Sequence, residues 1–222
     1  MNTQHDYTEL LGVTVGPFQE NTFFLKATDS PETIVIDPGD EAERLIGELD
    51  RRGWSPIAIV NTHAHLDHIG AVQALKDHYS IPFFLHSHEI PILEAAPEHA
   101  RMFGIAPPVV PAVDHLLDGL ERLELAGLTL SLVLTPGHST GSVSFFLDNR
   151  MIGGDVLFQG SIGRTDLPGG DYATLMGTLR DLMRTLPDET AIHPGHGPDT
   201  TMGEERRTNP FLLQLDPTGE SA

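Results

Sequence analysis

The apolar residues of this chain fall into two patterns that predict different elements. A β-branched run at 57–60 and an alternating run at 128–134 are typical of strands. Apolar residues recur at helical spacing at 42–49 and again at 175–186, after acidic residues that suit helix starts. We therefore predict two helices whose apolar stripes belong to the core, and a further helix over 69–75 that follows the strand at 57–60 after a turn.

The segment 95–108 shows no such pattern and contains three prolines. We predict a long irregular loop here, of the kind that often covers a pocket. Met102 and Phe103 are expected to hold this loop against the core rather than to line a substrate channel. The final residues, 216–222, are polar and are expected to fray.

The densest group of metal-binding side chains follows the predicted strand at 57–60. His63, His65, Asp67 and His68 lie within six residues, where this strand gives way to the predicted helix. Alternate residues of an extended segment point the same way, so His63 and His65 share one direction. Asp67 and His68 lie past the bend and could face a second centre. One turn could thus serve two metals at the carboxyl end of a strand, where ligands of α/β sheets usually bind.

Three further candidate ligands follow predicted strand ends farther along the chain. His138 and His196 each lie in a Pro-Gly turn, and Asp155 follows two glycines that would let the backbone crowd a site. The set then has seven members and is complete without His86 and His88, which follow another predicted strand. We therefore expect those two histidines not to be ligands.

The His-x-His-x-Asp-His motif at 63–68, followed in order by His138, Asp155 and His196, resembles the metallo-β-lactamase fold superfamily. The resemblance extends from Gly12 to Gly197 and is strongest to the dinuclear hydrolases. It implies an α/β fold, a four-layer αββα sandwich. In that fold two mixed β-sheets lie face to face, helices lie outside, and the site is at one edge.

The resemblance also implies a role for each candidate. Three ligands would hold each metal and one would bridge both: His63, His65 and His138 for the first, Asp67, His68 and His196 for the second, and Asp155 for the bridge. Asp37 would orient a ligand histidine through its free ring nitrogen. We expect two divalent ions, zinc being favoured, although such ligands also suit iron and manganese. The chain has no cysteine, which argues against a closed structural zinc site.

Two metals would supply a bridging hydroxide for attack on a polarised carbonyl, with Asp67 and Asp155 as the catalytic carboxylates. Thioesters are the favoured substrates, because a thiol with a pKa of about 8.5 leaves without a proton from the enzyme. The chain resembles the small glyoxalase II-like proteins, which hydrolyse acylated glutathione. Typical glyoxalase II has a helical domain after the last histidine, whereas only 26 residues follow His196 here.

Arg164 is the candidate contact for a substrate carboxylate. An equally weighted alternative is that it forms a salt bridge with Asp166 or Asp171.

Other activities use the same scaffold. Persulfide dioxygenases resemble this chain and hold one iron with a two-histidine, one-carboxylate triad, here His63, His138 and Asp155. We favour the hydrolase. A lactonase and a non-catalytic metal-binding module are further alternatives, and a true β-lactamase is disfavoured because no cysteine and no export signal are seen.

Composition narrows the expected partners. The net charge of −19 disfavours nucleic acid, and no apolar stretch is long enough to cross a membrane. The first residues lack the features of a signal peptide, so a cytoplasmic location is expected. We expect one domain over residues 1–222 that acts on a small molecule; the sequence leaves the oligomeric state open.

Overall fold

A computed structural model describes residues 7–215 of the chain. Its first sheet has six strands that lie side by side in chain order: β1 (Thr8–Val15), β2 (Glu20–Ala27), β3 (Glu32–Ile36), β4 (Ser55–Val60), β5 (Phe83–Leu85) and β6 (His115–Leu116). Strands β1 to β3 pair antiparallel and β3 to β6 pair parallel. This sheet is therefore mixed. The predicted fraying of 216–222 concerns residues outside the described range.

The second sheet also has six strands. In chain order they are β7 (Arg122–Leu125), β8 (Leu128–Leu134), β9 (Val143–Leu147), β10 (Arg150–Gly154), β13 (Ala191–Pro194) and β14 (Thr200–Thr201), and between β10 and β13 the chain forms the hairpin β11 (Leu157–Phe158) and β12 (Ser161–Ile162). The spatial order is β14-β13-β10-β9-β8-β7. Strand β10 pairs parallel with β13 and antiparallel with β9, so this sheet is mixed as well.

Within residues 7–215, six α-helices accompany the sheets: α1 (Ala42–Arg52), α2 (Leu66–Ile69), α3 (Val72–Tyr79), α4 (Ile90–Met102), α5 (Tyr172–Thr185) and α6 (Met202–Thr208), with 3₁₀ turns at Ser87–Glu89 and Leu212–Gln214. None of the helices in the described range is both long and apolar enough to cross a membrane.

Three apolar clusters show how the layers pack. One lies between the two sheets and contains Phe23, Ile34 and Val60 from the first sheet with Leu130 and Phe145 from the second. The intervening residues of the same strands point to the opposite faces, as the two-residue period of a strand requires. On those faces, helices α1, α3 and α4 cover the first sheet and α5 and α6 cover the second. The molecule therefore has four layers, as predicted.

Most of the predicted elements are present. The runs at 57–60 and 128–134 are strands β4 and β8, and the two predicted stripes lie on α1 and α5. The helix predicted over 69–75 begins only at Val72, because Gly70 and Ala71 separate it from the one-turn α2.

The irregular loop predicted over 95–108 is wrong in its first half, because α4 continues to Met102. Its buried residues Ile92, Leu93, Ala96 and Ala100 form a stripe that begins before the segment, so the segment alone hid the pattern. Packing of this stripe outweighs the backbone hydrogen bond that Pro97 cannot form inside the helix.

Candidate metal centre

The seven candidate ligands come together at one edge of the sandwich. His63 and His65 follow β4, and Asp67 and His68 lie on the short helix α2 that comes next. The other three follow strands of the second sheet: His138 after β8, Asp155 after β10 and His196 after β13. The two sheets therefore contribute candidate ligands to one site from the ends of four strands, β4 in the first sheet and β8, β10 and β13 in the second.

One group of ligand atoms comes from His63, His65 and His138. These atoms lie within 4.8 Å of one another. Nδ1 of His65 and Nε2 of His138 are 2.8 Å apart. All three side chains are buried. Three imidazoles converging at this distance form a set that could hold one metal ion.

Asp67, His68 and His196 form a second group whose ligand atoms also lie within 4.8 Å of one another. Oδ2 of Asp67 is 3.2 Å from Nε2 of His196. This group is more open than the first, because about a quarter of the His196 side chain is exposed. It could hold a second metal ion.

Asp155 lies between the two groups. Its Oδ2 is 3.6 Å from Nε2 of His138 and 3.5 Å from Nε2 of His196, and its Oδ1 is 3.5 Å from Nε2 of His68. Gly195 allows this close approach, because a Cβ atom there would collide with Oδ1 of Asp155 and with the His68 ring. One carboxylate thus faces histidines of both groups.

Hydrogen bonds from the outer ring nitrogens orient the histidines. Nδ1 of His138 donates to the carbonyl oxygen of Arg164 (2.7 Å), and Nδ1 of His196 donates to that of Phe18 (3.1 Å). Nδ1 of His68 is 3.1 Å from Oδ2 of Asp37. In each of these rings the other nitrogen, Nε2, is left to face the cluster, which is the arrangement typical of metal-binding histidines.

Unpaired buried atoms test whether these residues fit a metal. Nε2 of His63, Nε2 of His68 and Oδ1 of Asp155 are buried, and none has a hydrogen-bond partner. Buried polar atoms without partners are costly and rare in native proteins. Bound cations would satisfy these three atoms at once, so the residues present fit a metal.

The protonation of two buried histidines agrees with this fit. Burial lowers the pKa of His63 well below its ordinary value, and lowers that of His65 to about 3 with the help of the neighbouring His138. Both rings are therefore neutral near pH 7. A neutral imidazole has the free lone pair that a metal ligand needs.

The carboxylates of the site remain charged. Burial alone would raise the pKa of Asp67, but the hydrogen bond with His196 and the charge of His68 outweigh burial and lower it. Burial acts the same way on Asp155, and His68 again outweighs it and lowers the pKa. Burial also opposes charge on His68, yet Asp155 and Asp37 at its two nitrogens raise its pKa well above the usual range. Asp67 and Asp155 are thus charged carboxylates, the form in which they can bind cations.

Comparison with known proteins identifies the family. A family model described as the metallo-beta-lactamase superfamily matches residues 15–196. The chain belongs to the metallo-β-lactamase superfamily. This membership confirms the predicted family and fold, and the chain is a metal-dependent hydrolase of that superfamily.

Two curated relatives of this superfamily cover almost the whole chain. The probable metallo-hydrolase YqgX of Bacillus subtilis (strain 168) is 41% identical over 202 residues, which are 89% of this chain and 94% of YqgX. The hydroxyacylglutathione hydrolase GloC of Haemophilus influenzae (strain ATCC 51907 / DSM 11121 / KW20 / Rd) is 38% identical over 213 residues, 92% of this chain and 97% of GloC.

Two solved structures share the fold at similar identity. The BLEG-1 B3 metallo-β-lactamase has a TM-score of 0.87 and 43% identity, and covers 92% of this chain and 99% of its own. TTHA1623, solved in a di-iron-bound form, has a TM-score of 0.82 and 44% identity, and covers 91% of this chain and 100% of its own.

The ligand turn of this superfamily member is held by buried polar side chains that surround it. Oδ1 of Asp37 accepts from the backbone N–H of Thr62 (2.7 Å) and Oδ2 accepts from its hydroxyl (2.6 Å). Nδ2 of Asn61 donates to the carbonyl oxygen of His68 (2.7 Å). Asp37 has a φ of 50°, an uncommon conformation for a residue with a side chain. Because its oxygens already have partners, Asp37 suits the orienting role better than the ligand role.

Glu89 was not identified from the sequence, although it joins two of the ligand loops. Its buried carboxylate accepts from the backbone N–H of Ala64 through Oε2 (2.9 Å) and from that of Gly141 through Oε1 (2.7 Å). Ala64 lies between the candidate ligands His63 and His65, and Gly141 is three residues after His138. An isolated acidic residue between the apolar runs 83–85 and 90–93 is the signal that could have found it.

Glu20 is a second buried carboxylate that sequence reasoning missed. Its Oε2 accepts from the Thr22 hydroxyl (3.0 Å), and its Oε1 is 3.8 Å from Nδ1 of His68. Burial raises its pKa well above the usual range. The adjacent Asn21 donates from Nδ2 to the carbonyl oxygens of Pro194 (3.0 Å) and Gly197 (2.8 Å), which fixes the turn that presents His196.

A cavity of about 450 Å³ opens beside the ligands and is lined in part by His65, Asp67, Asp155 and His196. Met102 and Phe103 also line it, with 78% and 49% of their surface exposed. The prediction that these two residues hold a loop to the core is therefore wrong. The end of α4 directs them away from the stripe that packs on the sheet.

Arg164 lines the same cavity and forms a two-point ion pair with Asp166, from Nε to Oδ1 (2.7 Å) and from Nη2 to Oδ2 (2.8 Å). Asp171, the other predicted partner, instead accepts from the backbone N–H of Thr174 (2.7 Å) at the start of α5. The salt-bridge alternative for Arg164 is thus confirmed for Asp166, and the residue is still part of the cavity lining.

His86 and His88 lie outside the ligand groups. Nδ1 of His86 accepts from the backbone N–H of His88 (3.2 Å), and Nε2 of His86 is 3.9 Å from a carboxylate oxygen of Asp118. Among the residues that the structure describes, neither joins the clusters that could hold a metal.

Proposed function

We propose that this superfamily member is a dinuclear hydrolase that cleaves thioesters of glutathione or a similar thiol. The observation that carries the two-metal proposal is the position of Asp155, whose two oxygens face histidines of both ligand groups at 3.5 to 3.6 Å. A carboxylate so placed suits a bridge between two cations. A single mononuclear site would leave the second group of ligands without a role.

In this proposal His63, His65 and His138 would hold one ion, Asp67, His68 and His196 would hold the other, and Asp155 would be a ligand shared by the two groups. Bound divalent ions lower the pKa of water and polarise a carbonyl oxygen, which is the chemistry that acyl hydrolysis requires. Asp37 keeps His68 in its orientation through Nδ1, and the carbonyl oxygens of Arg164 and Phe18 do the same for His138 and His196. These hydrogen bonds thus fix the orientation of three histidines around the place where the substrate carbonyl would react.

A chemical argument and a comparison both support a thioester. A thiol with an ordinary pKa of about 8.5 leaves as a thiolate, so the enzyme need not supply a proton to the leaving group. GloC, which is described as a hydroxyacylglutathione hydrolase, is 38% identical across almost the whole chain. The net charge of −19 further supports a small-molecule substrate over nucleic acid.

The metal is proposed from the donor set. Imidazoles and carboxylates suit zinc, and they also suit iron and manganese. TTHA1623, at 44% identity, is described in a di-iron-bound form. We therefore propose two ions per chain and favour zinc, with iron as the alternative.

The first experiment is elemental analysis of protein purified without chelators, combined with turnover of lactoylglutathione. Two metals per chain and metal-dependent release of free thiol would support the proposal. One iron per chain, with oxygen uptake on glutathione persulfide and no thioester cleavage, would overturn it in favour of the dioxygenase alternative. A matched substitution at the surface, Asp181→Ala on α5, should leave metal content unchanged because that side chain is exposed.

A second candidate is β-lactam hydrolysis. It is favoured by the 43% identity to BLEG-1, described as a B3 metallo-β-lactamase. Both activities need attack on a carbonyl, and they differ in the leaving group: an amide nitrogen must gain a proton, whereas a thiolate need not. A nitrocefin assay with the same metal-loaded sample separates them, and turnover of nitrocefin faster than of any thioester would reverse the order of the two candidates.

A further inference from the structure

The mouth of the cavity has a group of exposed apolar side chains that the proposed chemistry does not use. Phe18, Met102 and Phe103, which we call the apolar rim, are 38%, 78% and 49% exposed. All three line the cavity that contains Asp67, Asp155 and His196. Clustered exposed apolar residues beside a pocket usually mark a binding surface, whereas single ones need no explanation.

Two separate parts of the chain build the rim. Phe18 comes from the turn between β1 and β2, and Met102 and Phe103 come from the end of α4. The Phe18 and Phe103 rings meet edge to face, with centroids 5.9 Å apart and an interplanar angle of 82°. This geometry is favourable for an aromatic pair. The contact joins the two segments across the cavity mouth and keeps both rings beside it.

The apolar surface continues from the rim into the cavity. Leu66, Phe158, Ile162 and Leu167 also line it. Phe158 lies against His196, with ring centroids 6.2 Å apart. An apolar wall therefore runs from the mouth to one of the candidate ligands.

The cavity offers few charged side chains for binding a substrate, in contrast to its many apolar ones. Of the described residues that line the cavity, Arg164 alone is a lysine or arginine, and Asp166 already neutralises it through two hydrogen bonds. Asp67 and Asp155 add negative charge at the inner end. The cavity therefore offers little for ionic recognition of a substrate, whereas several apolar side chains are available for apolar contact.

We propose that the site selects thioesters that carry an apolar group, which lies against the apolar rim while the carbonyl reaches the ligand cluster. This inference rests on the proposed function and adds the substrate class. The apolar group can be on the acyl side or on the thiol side of the thioester, since the rim recognises the same chemistry in both. Specificity then comes from the removal of apolar surface from water.

The test measures kcat/KM of the metal-loaded protein on thioesters that differ in one chain. Hexanoyl and acetyl esters of N-acetylcysteamine vary the acyl side, and acetyl esters of hexanethiol and ethanethiol vary the thiol side. We expect the longer chain to raise kcat/KM about tenfold or more on at least one side. Equal rates for long and short chains on both sides would overturn the inference.

Variants assign the preference to the rim. Met102→Ser combined with Phe103→Ser should bring the long-to-short ratio of kcat/KM close to one, whereas Phe103→Leu, which stays apolar, should keep most of it. Leu213→Ser changes an apolar residue whose exposed fraction, 62%, lies between those of Phe103 and Met102 and which does not line the cavity. It is the control and should leave the ratio unchanged. A full preference in the double variant, with intact folding by circular dichroism, would overturn the role of these residues.

Failure of the proposed function would be recognised separately. If the metal-loaded protein cleaves no thioester, binding of the hexyl and methyl thioethers of N-acetylcysteamine is measured by calorimetry. Tighter binding of the hexyl compound by about tenfold, lost in the double variant, would support the rim even though thioester hydrolysis had failed. Equal binding of both compounds would overturn the inference as well.

Discussion

His65 and Met102 line the same cavity, yet His65 is 6% exposed and Met102 is 78% exposed. The surroundings of the ligand cluster are polar and paired: the outer nitrogens of His68, His138 and His196 have hydrogen-bond partners. In the apolar rim, the Phe18 and Phe103 rings contact each other, and the three side chains come from the β1–β2 turn and the end of α4. The comparison shows that one cavity combines a region built for fixed positions with a region built for contact area.

Substitution at the centre of the cluster should have the largest effect. Asp155→Ala removes the carboxylate between the two ligand groups and leaves buried histidines without their shared negative partner. We expect loss of both metals and of essentially all turnover. This loss should exceed the roughly 100-fold fall in metal affinity or activity that follows substitution of a residue that only hydrogen-bonds to a ligand. Elemental analysis and kcat/KM measure this.

Wild-type turnover in Asp155→Ala would contradict the bridging role. It would also show that the ligand cluster does not depend on fixed positions, which is the property that separates it from the apolar rim. Asp181→Ala, exposed on α5, controls for the loss of a carboxylate as such.

Asp67→Ala should separate the two metal assignments. In a dinuclear site Asp67 belongs to the second ligand group, where its Oδ2 is 3.2 Å from Nε2 of His196. We therefore expect the variant to bind about one metal per chain and to lose most of its hydrolytic activity. In a single-iron site built from His63, His138 and Asp155, Asp67 is no ligand, and iron content should stay near one. Metal counts before and after the substitution decide between the two.

Glu89→Gln should have an intermediate effect. A glutamine can accept only one of the two hydrogen bonds from Ala64 and Gly141, because its NH₂ group would face the other N–H. We expect metal affinity and kcat to fall roughly 10- to 100-fold, the usual range for residues that support ligands. The visible spectrum of the cobalt-substituted protein reports ligand geometry directly.

The matched control for Glu89 is Glu94→Gln on the same α4, where the side chain is exposed. If Glu89→Gln lowered only the melting temperature and left metal affinity and the cobalt spectrum unchanged, Glu89 would serve stability alone.

The smallest effect is expected at Arg164→Gln, in the outer part of the cavity. Its pair with Asp166 is exposed, and such pairs contribute about 0–1 kcal/mol. The hydrogen bond to His138 uses the backbone carbonyl and is retained. We expect KM for a glutathione thioester to rise less than about fivefold, and KM for an N-acetylcysteamine thioester to stay the same. A tenfold loss of kcat on both would show that the side chain acts nearer the reacting atoms.

The order of the candidate ligands along the chain could be predicted because it depends on local sequence. Strand ends, Pro-Gly turns and the spacing of His63 and His65 are all short-range features. The stripes on α1 and α5 were equally visible, because a helix that covers a sheet must repeat its apolar residues every three to four positions. The predicted family and four-layer fold followed from these motifs and agree with the structure.

The family, the candidate ligands and most of the elements that carry them thus follow from the sequence alone. The folded structure was needed to show that Glu89 joins residues 25 and 52 positions away, that Met102 and Phe103 are exposed, and that Arg164 pairs with Asp166. The reason is physical. Contacts between distant loops depend on how two sheets and their helices pack, and this packing leaves no periodic signal in the loops themselves.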